Sequence, residues 1–174
     1  MLARVAGGDR EALAELYDCH ATALFGYAVA LARSRADAED LVQGAFVKLA
    51  GMGAPLLGIR SPGAYLHTMV RMAFLDGERH RAVAADEPLG ILERGRTDAA
   101  SSPGDSALEA PGRLALEAAL ARLPAAQREA VVLHAVEGLT FREVARVIGV
   151  STWTAASRYR VALGRLRQIL GTRR

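Results

Sequence analysis

Residues Thr140 to Ser151 constrain this chain more than any other stretch. Thr140 stands at an N-cap position with Glu143 three residues on, the spacing at which each side chain satisfies the other's backbone N–H. Phe141, Val144, Ala145 and Ile148 recur at i, i+3, i+4 and i+7, one apolar face of a short helix. Gly149 supplies a stop that tolerates a left-handed backbone. Val150 is an apolar residue in the turn, and Ser151 is a second N-cap. A longer helix then runs to about Leu170 and carries Arg158, Arg160, Arg165 and Arg167. Two helices joined by so short a turn, the second one basic, have the shape that lays a helix in the major groove of DNA.

The charge distribution agrees with that reading. Net charge is only +3, but residues 112–174 carry eleven basic and four acidic side chains, and every basic one is Arg. Residues 1–85 balance at nine of each sign, and residues 86–111 carry two basic against six acidic. The positive charge therefore gathers where the helix-turn-helix lies, as a phosphate-binding surface requires.

No segment alternates in the manner of a strand, so the expected fold class is all-α. The first half reads as three helices. Asp9 caps one whose apolar positions are Leu13, Leu16, Tyr17, His20, Leu24, Tyr27 and Leu31. Ser34, with Asp37 three residues on, opens the second, and its stripe is Ala38, Leu41, Val42, Ala45, Phe46 and Leu49. Gly51, Gly53, Pro55 and Gly58 make a loop. Ser61-Pro62, an N-cap followed by Pro at N1, starts the third. That helix runs to about Arg81, with Tyr65, Leu66, Met69, Met72 and Ala73 as its buried face.

Periodicity fades from Ala82 to about Gly112. This acidic segment holds Pro88, Gly90, Gly95, Ser101-Ser102-Pro103-Gly104 and Pro111, and reads as a flexible, solvated linker with a helical turn near Leu89–Leu92. The second half has four helices. One spans Arg113 to about Arg122; the next begins at Leu123-Pro124 with Pro at N1 and ends at Gly138; the helix-turn-helix pair follows. Leu116, Leu120, Val131, Val132, Leu139, Val144, Ile148, Leu163 and Leu166 are its expected core. The organisation is thus two small helical domains, 1–81 and 112–174, joined by a linker over 82–111.

Several chemistries find no support. His20, His67, His80 and His134 lack metal-ligand spacing, and Cys19 is the one cysteine, so neither a metal site nor an internal disulfide is expected. Cys19 is expected to be a small buried hydrophobe. There is no phosphate loop and no nucleophile elbow, so no catalysis by this chain and no cofactor are expected. No apolar run reaches the roughly 18–20 residues of a membrane span, so no membrane insertion is expected. Met1 to Arg10 lacks the pattern of a secretory signal, which with a single cysteine points to a reducing cytoplasm.

The order and spacing of six strings resemble the extracytoplasmic-function sigma factors of bacterial RNA polymerase. They are G-D-R-E-A-L-A-E-L-Y (Gly8–Tyr17), D-A-E-D-L-V-Q (Asp37–Gln43), A-Y-L-H-T-M-V-R-M-A-F-L-D-G-E-R (Ala64–Arg79), L-P-A-A-Q-R-E-A-V-V-L (Leu123–Leu133), G-L-T-F-R-E-V-A-R-V-I-G-V-S (Gly138–Ser151) and T-A-A-S-R-Y-R-V-A-L-G-R-L-R (Thr154–Arg167). Such proteins have two helical domains, region two with three helices and region four with the helix-turn-helix.

The resemblance implies that the second helix docks on core RNA polymerase through Asp40 and Gln43. Gly44 replaces a usual acidic residue there, at a helix-propensity cost of about 1 kcal/mol relative to Ala. It implies that the third helix and the loop Gly51–Ile59 meet the minus-ten promoter element as melted single strand. Arg60, Arg71, Arg79 and Arg81 would supply charge, and the loop would form the rim of a pocket for an extruded base. Tyr65 stands where the family usually has Trp and reads as core; Met72 stands where Asn is common; Asp76 reads as a partner for Arg79.

The recognition helix would read duplex at the minus-thirty-five element through Thr152, Trp153, Ala156, Ser157, Arg158 and Arg160, with Arg142 and Arg165 on phosphates. Trp153 either packs on the DNA or closes the domain as a hydrophobe, and the sequence leaves both readings open. Thr154, Ala155, Tyr159, Ala162 and Leu163 read as its inner face. An anti-sigma factor is a further implied partner. Beside this reading stands a second one: a helix-turn-helix DNA-binding regulator whose first half is a protein-interaction module.

Overall fold

The computed structural model describes residues 1–32, 34–84 and 111–171, and all regular structure among them is helical. The chain divides into two compact units.

The first unit holds α1 (Leu2–Ala6), α2 (Arg10–Leu31), α3 (Arg35–Ala50), a 3-10 turn (Ala54–Gly58) and α4 (Pro62–Ala84). Of the three N-caps read from the sequence for this half, Asp9 and Ser34 cap through their side chains. Asp9 Oδ1 accepts the N–H groups of Glu11 and Ala12 at 3.0 and 3.1 Å, and Ser34 Oγ accepts the Asp37 N–H at 3.1 Å. Those N–H donors, that of Ala12 foremost, and the Arg4 guanidinium hold the Asp9 carboxyl below its ordinary range. The three long helices pack pairwise, burying Leu16, Leu24, Tyr27, Leu49, Leu66 and Val70 completely.

Five expectations for this half need correction. The short helix α1 was not anticipated. The loop after α3 contains a 3-10 turn, and α4 runs on to Ala84, into the segment expected to be linker. On α4, Met72 and Ala73 are exposed, while His67 and Val70 are buried. The buried stripe is rotated from the expected one, because α2 and α3 pack on α4 where Ala64, Leu66, His67 and Val70 are buried. His67 tolerates burial because its Nδ1–H donates to the Gly63 carbonyl at 2.8 Å and its ring lies 5.2 Å from that of Tyr27. Cys19 lies exposed on α2, and Tyr17 is exposed too, although its ring lies 4.8 Å from that of Phe46.

The second unit holds α5 (Pro111–Ala121), α6 (Ala125–Val131), a π-turn (Val132–Val136), α7 (Phe141–Ile148) as far as Ala145, and α8 (Thr152–Gly171), while Arg146–Gly149 group with the first. Pro124 is the N-cap of α6 rather than its first helical residue. The helix then widens into the π-turn before Gly138, whose φ of 69° needs no Cβ. Ala119, Leu123, Val131, Ala162 and Leu166 form the core, with Leu120, Tyr159, Leu163 and Ile169 packed on it. Leu116, expected in that core, is exposed because α5 meets α8 through Ala119, with Leu123 just beyond its end, instead. The helical turn expected near Leu89–Leu92, and most of the expected linker, lie outside the described residues. No described helix is long and apolar enough to cross a membrane.

Candidate nucleic-acid interface

The scaffold under α8 is assembled from groups far apart in sequence. The α5 helix ends on open carbonyls, and Arg128 from α6 reaches three of them or their successors. Its Nε donates to Leu120 O at 3.0 Å, and its Nη2 to Ala121 O at 3.1 Å and Leu123 O at 3.0 Å. A guanidinium there also meets the negative end of the α5 dipole. The His134 ring stacks on Phe141 with centroids 4.0 Å apart, and Tyr159 meets both edge-on at 4.7 and 5.5 Å. His134 Nδ1–H donates to Leu139 O at 2.7 Å. The π-turn, α7 and α8 thus meet at one aromatic cluster.

The local signals of the helix-turn-helix are realised. The Thr140 N–H donates to Glu143 Oε2 at 2.9 Å, and the Glu143 N–H donates to Thr140 Oγ1 at 3.3 Å. Gly149 has φ 70°, and the Val150 N–H reaches back to Ala145 O at 3.0 Å, closing α7. Ser151 Oγ accepts the Thr154 N–H at 3.0 Å. These bonds set the entry of α8, and its buried side is Ala155, Ala162 and Leu166.

On the opposite side, Trp153, Arg160 and Arg167 follow one another at seven-residue intervals, so they form a single line along the helix. All three are exposed, and Trp153 is 73% exposed, which removes the reading in which it closes the domain. Thr152 is exposed, whereas Ala156, Ser157 and Arg158 are half-buried. Arg158 and Arg165 form a separate line on the flank. On α7, Arg142 and Arg146 are both exposed, one turn apart. Sequence reasoning left Arg146 and Arg167 out of the candidate site, although their spacing from Arg142 and Arg160 would have found them.

In the first unit, Asp40, Gln43 and Gly44 lie exposed on α3, away from Val42, Ala45, Phe46 and Leu49. Val47, one turn beyond Gln43, is 74% exposed and extends that face with an apolar group. Glu39 is turned to Arg35, at 3.1 Å. The four arginines expected at the melted strand are not gathered on one line. Arg60 precedes α4 and is exposed, and Arg71 is half-buried. Arg79 pairs with Asp76 at 2.8 Å, as the sequence suggested. Arg81 pairs with Glu78 and, two residues from Arg79, faces nearly the other way. The line that does exist is Tyr65, Met72 and Arg79, again at intervals of seven. It begins at the loop, since the Tyr65 hydroxyl donates to the Met52 sulfur at 3.4 Å.

Comparison with known proteins matches residues 16–83 to sigma-70 region 2 and residues 113–166 to sigma-70 region 4. The chain is 32% identical to the RNA polymerase sigma factor CarQ of Myxococcus xanthus, over 97% of this chain and 94% of that one. It is 30% identical to the ECF RNA polymerase sigma factor SigL of Mycobacterium tuberculosis, over 97% and 96%. This chain is an ECF sigma factor. As such it is a transcription-initiation factor of RNA polymerase. The sigma factor also resembles RpoE of Bartonella quintana, solved with the anti-sigma factor NepR, at a TM-score of 0.67 and 25% identity over 95% of this chain and 98% of that one. It shares its fold with CnrH, solved with the cytosolic domain of CnrY, at a TM-score of 0.66, 22% identity and coverage of 99% and 96%.

Proposed function

We propose that this sigma factor divides promoter recognition between its units, with residues 1–84 on core polymerase and the minus-ten element, the segment between α4 and α5 as tether, and 111–174 on the minus-thirty-five element. The observation that carries this is the outward line of α8. An unburied indole and two arginines stand opposite a helix side buried by Ala155, Ala162 and Leu166. Trp153, Thr152, Ser157 and Ala156 face the base edges of a duplex. Arg142, Arg146, Arg160 and Arg167 neutralise phosphates on either side, and Arg158 and Arg165 reach the backbone from the flank.

The α3 face of Asp40, Gln43 and Val47 docks on core polymerase. The loop Gly51–Ile59, Arg60 and the α4 line Tyr65–Met72–Arg79 take the displaced single strand, with Arg71 and Arg81 as charge around it. Met72 gives this path a thioether surface for an unstacked base. The bond-making chemistry belongs to the polymerase, so the sigma factor acts in the cytoplasm as a binding subunit and not as an enzyme. RpoE of Bartonella quintana was solved with an anti-sigma factor, and this chain takes one as well.

Run-off transcription tests the reading. Core polymerase with the sigma factor should start at discrete sites of a genomic promoter library, and core alone should not. Duplex binding by the sigma factor with no gain in initiation would leave it a helix-turn-helix regulator of the simpler kind.

A further inference from the structure

The helix α1 belongs to none of the surfaces above, yet its contacts are specific. It packs against the 3-10 turn Ala54–Gly58 as well as against α2. The buried residue of α1 is Val5, 3% exposed, and that of the turn is Leu56, 0% exposed. The remaining residues of the turn are exposed, Leu57 to 65%. Glycines stand at 51, 53 and 58, and Gly53 has φ 58°. Such a segment has much backbone freedom to lose on binding.

Arg4 adds a tie between α1 and the start of α2. Arg4 Nε meets Asp9 Oδ2 at 2.7 Å, and its Nη1 meets Glu15 Oε1 at 3.1 Å. The Asp9 N–H donates to Arg4 O at 3.1 Å. The same Asp9 caps α2. The guanidinium therefore fixes α1 to the start of α2, and α1 in turn covers the turn.

We propose that α1 is a brace that pre-orders the base-capturing loop, with Arg4 and Val5 as positioning residues for promoter opening. The inference rests on the reading of that loop as the rim of the single-strand pocket. With α1 seated, the rim meets an extruded base already ordered, and the ordering cost is met in folding rather than in melting. Neither residue touches DNA in this scheme.

The test uses full-length sigma factor with core polymerase and promoter DNA carrying 2-aminopurine at successive non-template positions of the minus-ten element. Val5→Ser should lower the equilibrium constant for opening, read from the fluorescence gain, by about tenfold, and Arg4→Gln by a smaller factor of about two to three, because its ion pairs are exposed. Val5→Ile should restore it. Core affinity and minus-thirty-five duplex affinity should stay at the wild-type level, which a general loss of folding would not allow. Unchanged opening in Val5→Ser and Arg4→Gln overturns the brace, and so does a parallel loss of core affinity. Leu57→Ser separates the underlying reading: if it opens promoters normally, the loop is not the rim, and the brace falls with it.

Discussion

His134 lies flat against Phe141, their ring centroids 4.0 Å apart and their planes 26° from parallel. One ring comes from the turn after α6 and the other from the first residue of α7, so this contact sets the angle at which the helix-turn-helix leaves the rest of its unit. His134→Ala removes the stack and the bond to Leu139 O, at a cost of about 1–3 kcal/mol. Thermal unfolding should show that loss. Duplex affinity for the minus-thirty-five element should fall with it, and affinity for core polymerase, which we propose α3 carries, should not.

Arg128 supplies donors to carbonyls that α5 cannot satisfy internally. Arg128→Met keeps much of the stem and removes the donors, and should destabilise the second unit by about 2 kcal/mol in urea titration. Arg128→Lys should recover only part of this, since a single ammonium cannot match the planar fork. Full recovery by Lys would mean that charge, not geometry, holds the α5 end.

Trp153 is exposed enough that its loss should leave stability within about 0.5 kcal/mol, yet Trp153→Ala should weaken duplex binding by about 2 kcal/mol. Arg160→Ala and Arg167→Ala should each flatten the slope of log affinity against log salt by about 0.9. A residue whose replacement leaves the slope unchanged makes no phosphate contact.

Gly44 is helical, exposed and has no atom within 4 Å of the position a Cβ would take. Gly44→Glu should therefore raise stability by about 0.5 kcal/mol through helix propensity alone. It should also tighten binding to core polymerase in a competition assay. Tighter folding without tighter binding would place the docking face elsewhere on α3.

His20 is half-buried, with its imidazole beside Gly63, and burial foremost, then the charge of His67, pushes its pKa below the ordinary 6.5. A folded pKa below the unfolded one means that the unfolded chain binds the proton first as pH falls. This contribution is complete above about pH 6.5 and is lost as pH drops below it toward the folded pKa. The unfolding midpoint should decline over that window, and His20→Gln should flatten the decline.

Helix starts were legible in the residues themselves. Asp9, Ser34, Ser151 and the Thr140–Glu143 pair act on N–H groups two or three positions away, so no distant part of the chain is needed to predict them. The inner side of α8 was legible for the same reason, because Ala155 and Ala162 mark it at helical spacing, but on the outward line only Arg160 was read, with Trp153 left open and Arg167 left out. Both sigma regions followed from strings that are local too.

What tertiary packing decided is which of two plausible stripes each helix buries. Periodicity on α4 offers a line through Tyr65 and Met72 and another through Leu66 and Val70, and only the placement of α2 and α3 selects the second. Leu116 lost its place in the core on the same ground. The Arg128 clamp, the His134–Phe141–Tyr159 cluster and the seat of α1 on the 3-10 turn join residues that neither spacing nor propensity connects. Hydrogen bonds across a few residues are encoded where they form; burial depends on what the rest of the chain brings alongside.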